Sequence, residues 1–265
     1  MISDEFKYSV LFTTYYKDNS KFMEYALESI FKQTIEADEI IIAIDTKISD
    51  EQLKIIESFN NKKIKLVINH TKGLGQTLQN GVIKCKNKYI LRMDSDDISK
   101  PDRAELMLKY LIENQVDVLG SGIDEFNDDL NNLINENVLK DISQIFIRNP
   151  LNHPTVLLKK ESVIAAGNYL PLENYEDWYL WLRMKKKKFK IANFPNSTLF
   201  YRVNKSFFRR RSGYKYLLTE FNAFRVFFKE KLIPIYYCPL IFFRLLIRFL
   251  PVILIEKLYH FIRKI

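Results

Sequence analysis

Four short apolar runs, separated by helical patterns, occupy the first hundred residues and restrict what this chain can fold into. YSVLFTT (8–14), EIIIAID (39–45), KIKLVIN (63–69) and KYILRMD (88–94) read as strands. Between them, KFMEYALESIFKQ (21–33) has an amphipathic helical period. Ser49-Asp50 followed by EQLKIIESF reads as a short capped helix, and QTLQNGVIKC (76–85) as a third. Strands this apolar, alternating with helices, predict a parallel sheet covered on both faces. In such sheets a ligand sits at the carboxyl ends of the strands. Those ends read Thr13 to Tyr15, then Asp45, then Asn69 with the KGLG turn, then Asp94 and Asp96, so polar groups collect along one edge. Gly73, Gly75 and Gly81 are three of the chain's 7 glycines, which places a close backbone approach or a tight helix entry there. Their spacing fits neither a dinucleotide fingerprint nor a P-loop.

After Gly122 the alternation dissolves. Residues 124–141 (DEFNDDLNNLINENVLKD) read as a polar surface excursion, 148–169 as a short strand and a helix, and NYEDWYLWLRMKKKKF (174–189) as a helix. With 265 residues and 47% apolar content, the chain can bury a full core as one large α/β domain or a domain plus an appendage. Its two cysteines, Cys85 and Cys238, share no short spacing with each other or with the three histidines, which argues against a disulfide framework or a zinc site. The acidic start MISDEF is unlike a signal peptide and predicts a cytoplasmic protein.

The net charge of +9 is unevenly spread. Residues 201–265 hold 14 bases and 3 acids, whereas residues 1–200 sum to −2. The C-terminal bases are mixed with large apolar residues over 232–265, a pattern that fits a membrane surface better than a nucleic acid. Arg244, Arg248 and three prolines interrupt that stretch, so it is predicted to lie on a membrane without crossing it. A basic helical pair packed on the domain is the alternative.

RMDSDDISKPDR carries two messages. Asp97, Ser99, Pro101 and Asp102 have the types expected at a helix start. Asp94 and Asp96 belong to the strand end and turn, where paired carboxylates suit a divalent cation with a diphosphate on it. Asp177 stands at a helix start beside Trp178 and Trp181, either as an ordinary dipole partner or in an apolar pocket that would tune it for base chemistry. Asp45 alone reads as a strand-end turn residue, His153 as a satisfied structural histidine, and Lys185 to Lys188 as a solvated helix end.

Together, YSVLFTTYYKDN, DEIIIAID, the N-x-x-x-GLG turn, RMDSDDISKPDR, RNPLNHPTV, YEDWYLWLRM and FRRRSGYKY resemble family 2 glycosyltransferases, in their amylovoran-type, surface-polysaccharide branch. The resemblance implies an α/β GT-A fold, with a mostly parallel central sheet flanked by helices and a C-terminal helical, membrane-associating extension. It implies a catalytic domain over 1–205, with a nucleotide-sugar half (1–122) and an acceptor half (123–205), followed by the extension 206–265. It further implies an inverting, Mg²⁺- or Mn²⁺-dependent transfer from a nucleotide-sugar donor, a UDP-sugar, to a glycan or lipid-diphosphate-linked acceptor. The enzyme would work on the inner face of the plasma membrane. Thr13 and Tyr15 would lie near the nucleotide, Asp45 would hydrogen-bond the base, and Asp94 would sit near the ribose and donor sugar. Asp96 would hold the metal, and Asp177 would be the base. The chemistry of such a transfer also needs positive charge on the departing diphosphate, which basic groups such as Arg209, Arg210 or Arg211 can provide. Thr46 and Lys47 replace the acid or glycine common after Asp45, and no Q-x-x-R-W motif occurs. A metal-dependent sugar nucleotidyltransferase is the alternative reading.

Overall fold

A computed structural model describes residues 6–127, 129–203 and 213–246. Strands β1 (Tyr8–Thr14), β2 (Glu39–Asp45), β3 (Ile64–Asn69) and β4 (Tyr89–Asp94) pair in parallel in the order β3-β2-β1-β4. Alternate residues of β1 enter opposite cores. Tyr8, Val10 and Phe12 meet Met23, Leu27, Met107 and Leu108, whereas Leu11 meets Leu78 and Val82. Both faces of this half are therefore covered, which is why β1 is buried throughout.

Helix α1 (Ser20–Phe31) starts at Asn19, whose side chain accepts the Phe22 N–H, and α2 (Asp50–Ser58) starts with a capping box between Ser49 and Gln52. Helix α3 (Leu74–Lys84) begins at Gly73, which has φ +135°. Gly75 lies against the loop that leads to the aromatic helix of the second half. A Cβ there would stand 2.9 Å from the Leu170 carbonyl oxygen and 3.2 Å from Glu176 Cβ.

The rest of the sheet is mixed, which corrects the expectation of a mostly parallel one. Beyond β4 come β8 (Leu157–Lys159), β6 (Val118–Phe126), β9 (Ile191–Arg202) and β5 (Ile98–Ser99), with β7 (Leu133–Val138) hairpinned onto β6. Pairs β4·β8, β6·β8, β6·β7 and β5·β9 are antiparallel, and β6·β9 is parallel. The excursion expected from 124 begins inside buried β6. There Asp124 pairs with Lys100 at 2.6 Å, and Glu125 accepts from Asn135 at 2.6 Å, so polar residues are buried with partners. Sequence reasoning offered no strand at 191–202. Pro195 and Asn196 are extruded where the register jumps from Ser121↔Phe194 to Gly122↔Ser197, and this bulge masks the strand pattern.

Helix α4 (Arg103–Glu113) follows the DSDD stretch, and α5 (Lys160–Ala165) follows β8. Helix α6 (Glu176–Lys186) is buried from Glu176 through Met184. Its Trp178 donates from Nε1 to the Ile145 carbonyl at 2.7 Å and meets Phe224 and Phe227 of α7 (Gly213–Lys229) edge-on. Short α8 (Cys238–Leu246) buries Ile241, and Leu232 and Ile233 of the connection are buried too. The described part of the C-terminal extension thus shares a core with α3, α5 and α6. The end of that extension, from 247 onward, lies outside the described residues, as does the 205/206 boundary.

Gly75→Ala is expected to destabilise the fold by about 1–3 kcal/mol, because backbone carbonyl and Cα atoms, which cannot rotate away, occupy the space. Urea denaturation followed by tryptophan fluorescence measures it.

Candidate active site

The first carboxylate group grows from the end of β4. Arg92 and Asp94 are two residues apart on one strand, so they share a face. Arg92 is buried, and both of its terminal nitrogens bond the Asp94 carboxylate, Nη1 to Oδ2 at 2.6 Å. Burial pulls the Arg92 pKa down, but the Asp94 charge outweighs it and keeps the guanidinium protonated. Thr13, at the end of neighbouring β1, donates to Asp94 Oδ1 at 3.0 Å. From α4, Arg103 donates through Nη2 to the carbonyls of Arg92 (2.7 Å) and Pro154 (3.0 Å), tying β4 to the turn that carries His153.

Asp97 and Ser99 do not start α4. Ser99 belongs to β5, and Asp97 is fully buried with Oδ1 accepting the Arg202 backbone N–H at 3.0 Å. Asp102 occupies the cap position without a side-chain hydrogen bond, and Pro101 precedes it instead of opening the helix. The Ala104 N–H is satisfied by Gln33 Oε1 at 3.0 Å, from just beyond α1. The helix-start residues were locally plausible, but partners distant in sequence claimed them.

Asp94, Asp96 and Asp97 each offer a carboxylate oxygen within 4.8 Å of the others. Asp97 Oδ2 is buried without a hydrogen-bond partner among the described residues. Burial, then the charges of Asp96 and Asp94, push the Asp97 carboxyl well above its ordinary range. Hard oxygen donors, mutual repulsion and one orphaned oxygen together fit a divalent cation.

Arg202 holds this turn from β9. Its Nε donates to the Asp96 carbonyl at 3.1 Å and its Nη1 to the Asn127 carbonyl at 2.8 Å. Its guanidinium lies 3.7 Å from the Phe22 ring centre and 4.4 Å from that of Phe126. On the other side, Asp18 Oδ2 accepts from Thr14 Oγ1 (3.0 Å), Tyr15 N (3.1 Å) and Ser95 Oγ (2.5 Å), so the exposed Tyr15 is fixed relative to the turn. Asp45 ends β2 and accepts the Gly73 N–H at 3.0 Å, which secures the KGLG turn.

A second group surrounds Asp177 at the start of α6. Its Oδ1 accepts the Trp178 N–H at 2.6 Å, and Asn149 Nδ2 donates to Oδ2. His153 Nδ1 is 3.9 Å from the same oxygen, while His153 Nε2 is 3.0 Å from Tyr169 Oη. Burial, then the Arg92 and Lys140 charges, press the His153 pKa far down, so the imidazole is neutral. Burial raises the Asp177 carboxyl, opposed by Lys140, the Trp178 N–H and Asn149. Neighbouring Glu176 is pushed up to about 8 by burial and by Asp177. Asp177, Asn149 and His153 open onto a cavity of about 290 Å³ that also receives Lys140, Asn152, Tyr201 and Tyr216. Arg244 of α8 completes its wall, held by Glu220 Oε1 at 2.8 Å and the Ile147 carbonyl at 3.0 Å. A raised carboxylate in a polar pocket can take a proton from a hydroxyl.

The structure therefore brings Thr13, Asp94 and Asp96 together, sets Tyr15 and Asp45 on the same sheet edge, and gives Asp177 its own pocket. Arg209 and Arg210 lie outside the described residues. Sequence reasoning missed Arg92, Asp18, Asn149 and Arg202. Only Arg92 carried a signal, as a lone cation inside an apolar strand.

A family model described as Glycosyl transferase family 2 matches residues 9–244. An uncharacterized glycosyltransferase of Haemophilus influenzae is 31% identical over 97% of this chain and 100% of its own length. The amylovoran biosynthesis glycosyltransferase AmsE of Erwinia amylovora is 32% identical over 97% of this chain and 99% of its own length. A UDP-Gal:alpha-D-GlcNAc-diphosphoundecaprenol beta-1,3-galactosyltransferase of Escherichia coli is 32% identical over 88% of this chain and 87% of its own length. Among solved structures, S. aureus TarS 1-349 in complex with UDP-GlcNAc matches 81% of this chain with a TM-score of 0.62 at 20% identity. The chain spans 64% of that structure, and the likeness is one of fold, a GT-A-like α/β architecture with a mixed sheet.

Arg202→Lys is expected to lower stability by about 1–3 kcal/mol, since an ammonium reproduces neither the paired carbonyl bonds nor the ring stacking. Chemical denaturation with and without divalent cation checks it.

Proposed function

The chain belongs to glycosyl transferase family 2, and from that premise we propose how this glycosyltransferase works. It moves a sugar, with inversion, from a nucleotide-diphosphate donor to a hydroxyl of a glycan or lipid-diphosphate-linked acceptor in surface polysaccharide assembly. One observation carries this reading: a turn sets three aspartate carboxylates within 4.8 Å of one another, and a separate buried carboxylate, Asp177, opens onto its own cavity. UDP is the proposed nucleotide, supported by the UDP-GlcNAc in the TarS complex and by the UDP-Gal in the Escherichia coli relative's name.

In this reading Asp45 hydrogen-bonds the base, and Thr13 and Tyr15 flank the nucleotide. Asp94, held by Arg92 and Thr13, faces the ribose and donor sugar. Asp96, with Asp94 and Asp97 beside it, would hold Mg²⁺ or Mn²⁺, which when bound neutralises diphosphate charge. Arg209 and Arg210 are proposed to add positive charge against the same group. The acceptor enters the cavity at Asp177, whose carboxylate takes the hydroxyl proton as the oxygen attacks the anomeric carbon. The bond from that carbon to the phosphate oxygen breaks on the opposite face, and the nucleoside diphosphate leaves with the electron pair. Asn149 and the Trp178 N–H fix the orientation of the base.

Residues 1–205 are proposed as the catalytic domain, with a donor half (1–122) and an acceptor half (123–205), and 206–265 as the extension. Within it, 232–265 is proposed to rest on the inner face of the plasma membrane. No helix among the described residues is long and apolar enough to cross a membrane. Ile235, Tyr236, Phe242 and Phe243 are each more than half exposed, which supports attachment to a surface.

Asp177→Asn is expected to cut turnover by about 10²- to 10⁴-fold with nucleotide-sugar affinity retained. Asp96→Asn should abolish the divalent dependence of that affinity. Isothermal titration of a nucleotide-sugar panel with Mn²⁺, alongside rates, separates the two. Asn149→Ala removes a donor that favours the charged carboxylate, so the Asp177 pKa climbs further. Because the base works deprotonated, the acid limb of the kcat/KM profile should move to higher pH, read from rates across the acid and neutral range.

A further inference from the structure

The described part of the extension and the end of α6 enclose a groove that catalysis does not use. Its volume is about 550 Å³. Phe146, Phe228 and Ile233 are among the apolar residues that line it, Lys185, Lys186 and Lys231 stand among them, and no acid among the described residues lines it. Lys186 Nζ is hydrogen-bonded to the Glu230 carbonyl at 2.7 Å, while the Glu230 carboxylate is engaged by Tyr179 Oη.

Lys231 is the informative member. Helix α7 ends with two bonds, Lys231 N to the Phe228 carbonyl at 3.0 Å and Leu232 N to the Phe227 carbonyl at 2.8 Å. This is the Schellman pattern, in which glycine is the usual residue at the left-handed position. Here the position is Lys231, with φ +54°. Helix α6 ends in the same way, with Lys188 at φ +64° and bonds from Lys188 N to Lys185 O and from Phe189 N to Met184 O. Attraction of cations to helix ends explains lysines within the last turns. It does not explain a side chain at the one position where glycine is less strained, so the strain points to a use for that side chain.

We propose that this groove binds anionic phospholipid, with headgroup phosphates on Lys185, Lys186 and Lys231 and acyl chains against the apolar floor. Charge complementarity selects this occupant, and the floor continues directly into exposed Ile235 and Tyr236. The inference rests on the membrane attachment proposed above and adds the α6 lysines and a headgroup preference to it.

The test is flotation of the full chain with vesicles of pure phosphatidylcholine and of phosphatidylcholine with phosphatidylglycerol. Binding to anionic vesicles is expected to fall about fivefold per lysine on Lys185→Gln, Lys186→Gln and Lys231→Gln, with binding to neutral vesicles unchanged. Lys231→Gly should raise Tm while weakening anionic binding, which no purely structural role predicts. Equal binding to both vesicle types, or unchanged binding of the lysine variants, overturns the groove assignment but spares attachment through Tyr236, Phe242 and Phe243. A wild-type chain that binds neither vesicle overturns both. A concentration-dependent dimer, abolished by the lysine variants and seen by sedimentation, would make the face an interface between copies and also overturn the proposal.

Discussion

The ion pair of buried Arg92 with partly exposed Asp94 is the interaction on which the site depends. A guanidinium sealed inside an α/β sheet is tolerable only when its charge is matched and its donors are used. Asp94 supplies that match through two contacts on the same strand face. In return, the Arg92 charge works against the burial that raises Asp97, Glu176 and Asp177. It also depresses the nearby Arg103, which burial and Arg92 bring to about 9. Removing the cation would leave Asp97, Glu176 and Asp177 buried without its opposing charge.

Legibility followed the range of the interactions. The first four strands and three helices stood out because their periods and caps are local, as Ser49 and Gln52 illustrate. Asp94, Asp96 and Asp177 were found as candidates because acids at strand and helix ends are visible in a window of a few residues. Asp97 and Ser99 were misassigned for the same reason: they satisfy a local rule for starting a helix. A partner 105 residues away, Arg202, overrides it for Asp97. Strand β9 was invisible because its bulge at Pro195 breaks the alternation, and β6 because its outer end buries Asp124 and Glu125. Asn149 and Arg202 act only through tertiary contacts, so no spacing announces them.

The extension also shows why a charge count alone could not settle its role. Its bases and apolar residues admitted either a packed helical pair or a membrane surface. The described part has a packed face and an open one: Phe224, Phe227 and Ile241 are buried, and Tyr236, Phe242 and Phe243 are exposed. A single stripe of apolar residues would have served only one of these. The large apolar residues mixed with the bases there serve both faces.

Helix α8 places Phe243 and Arg244 next to each other, one pointing to solvent and the other into the wall of the Asp177 cavity. Arg244 is anchored on Glu220 and on a backbone carbonyl, so the helix cannot tilt without disturbing that wall. A molecule standing on Phe243 would therefore hold its cavity at a set height above the surface. Acceptors would be sorted by reach as well as by composition: a hydroxyl near the root of a surface-tethered chain would meet the carboxylate, and one many sugars further out would pass above it.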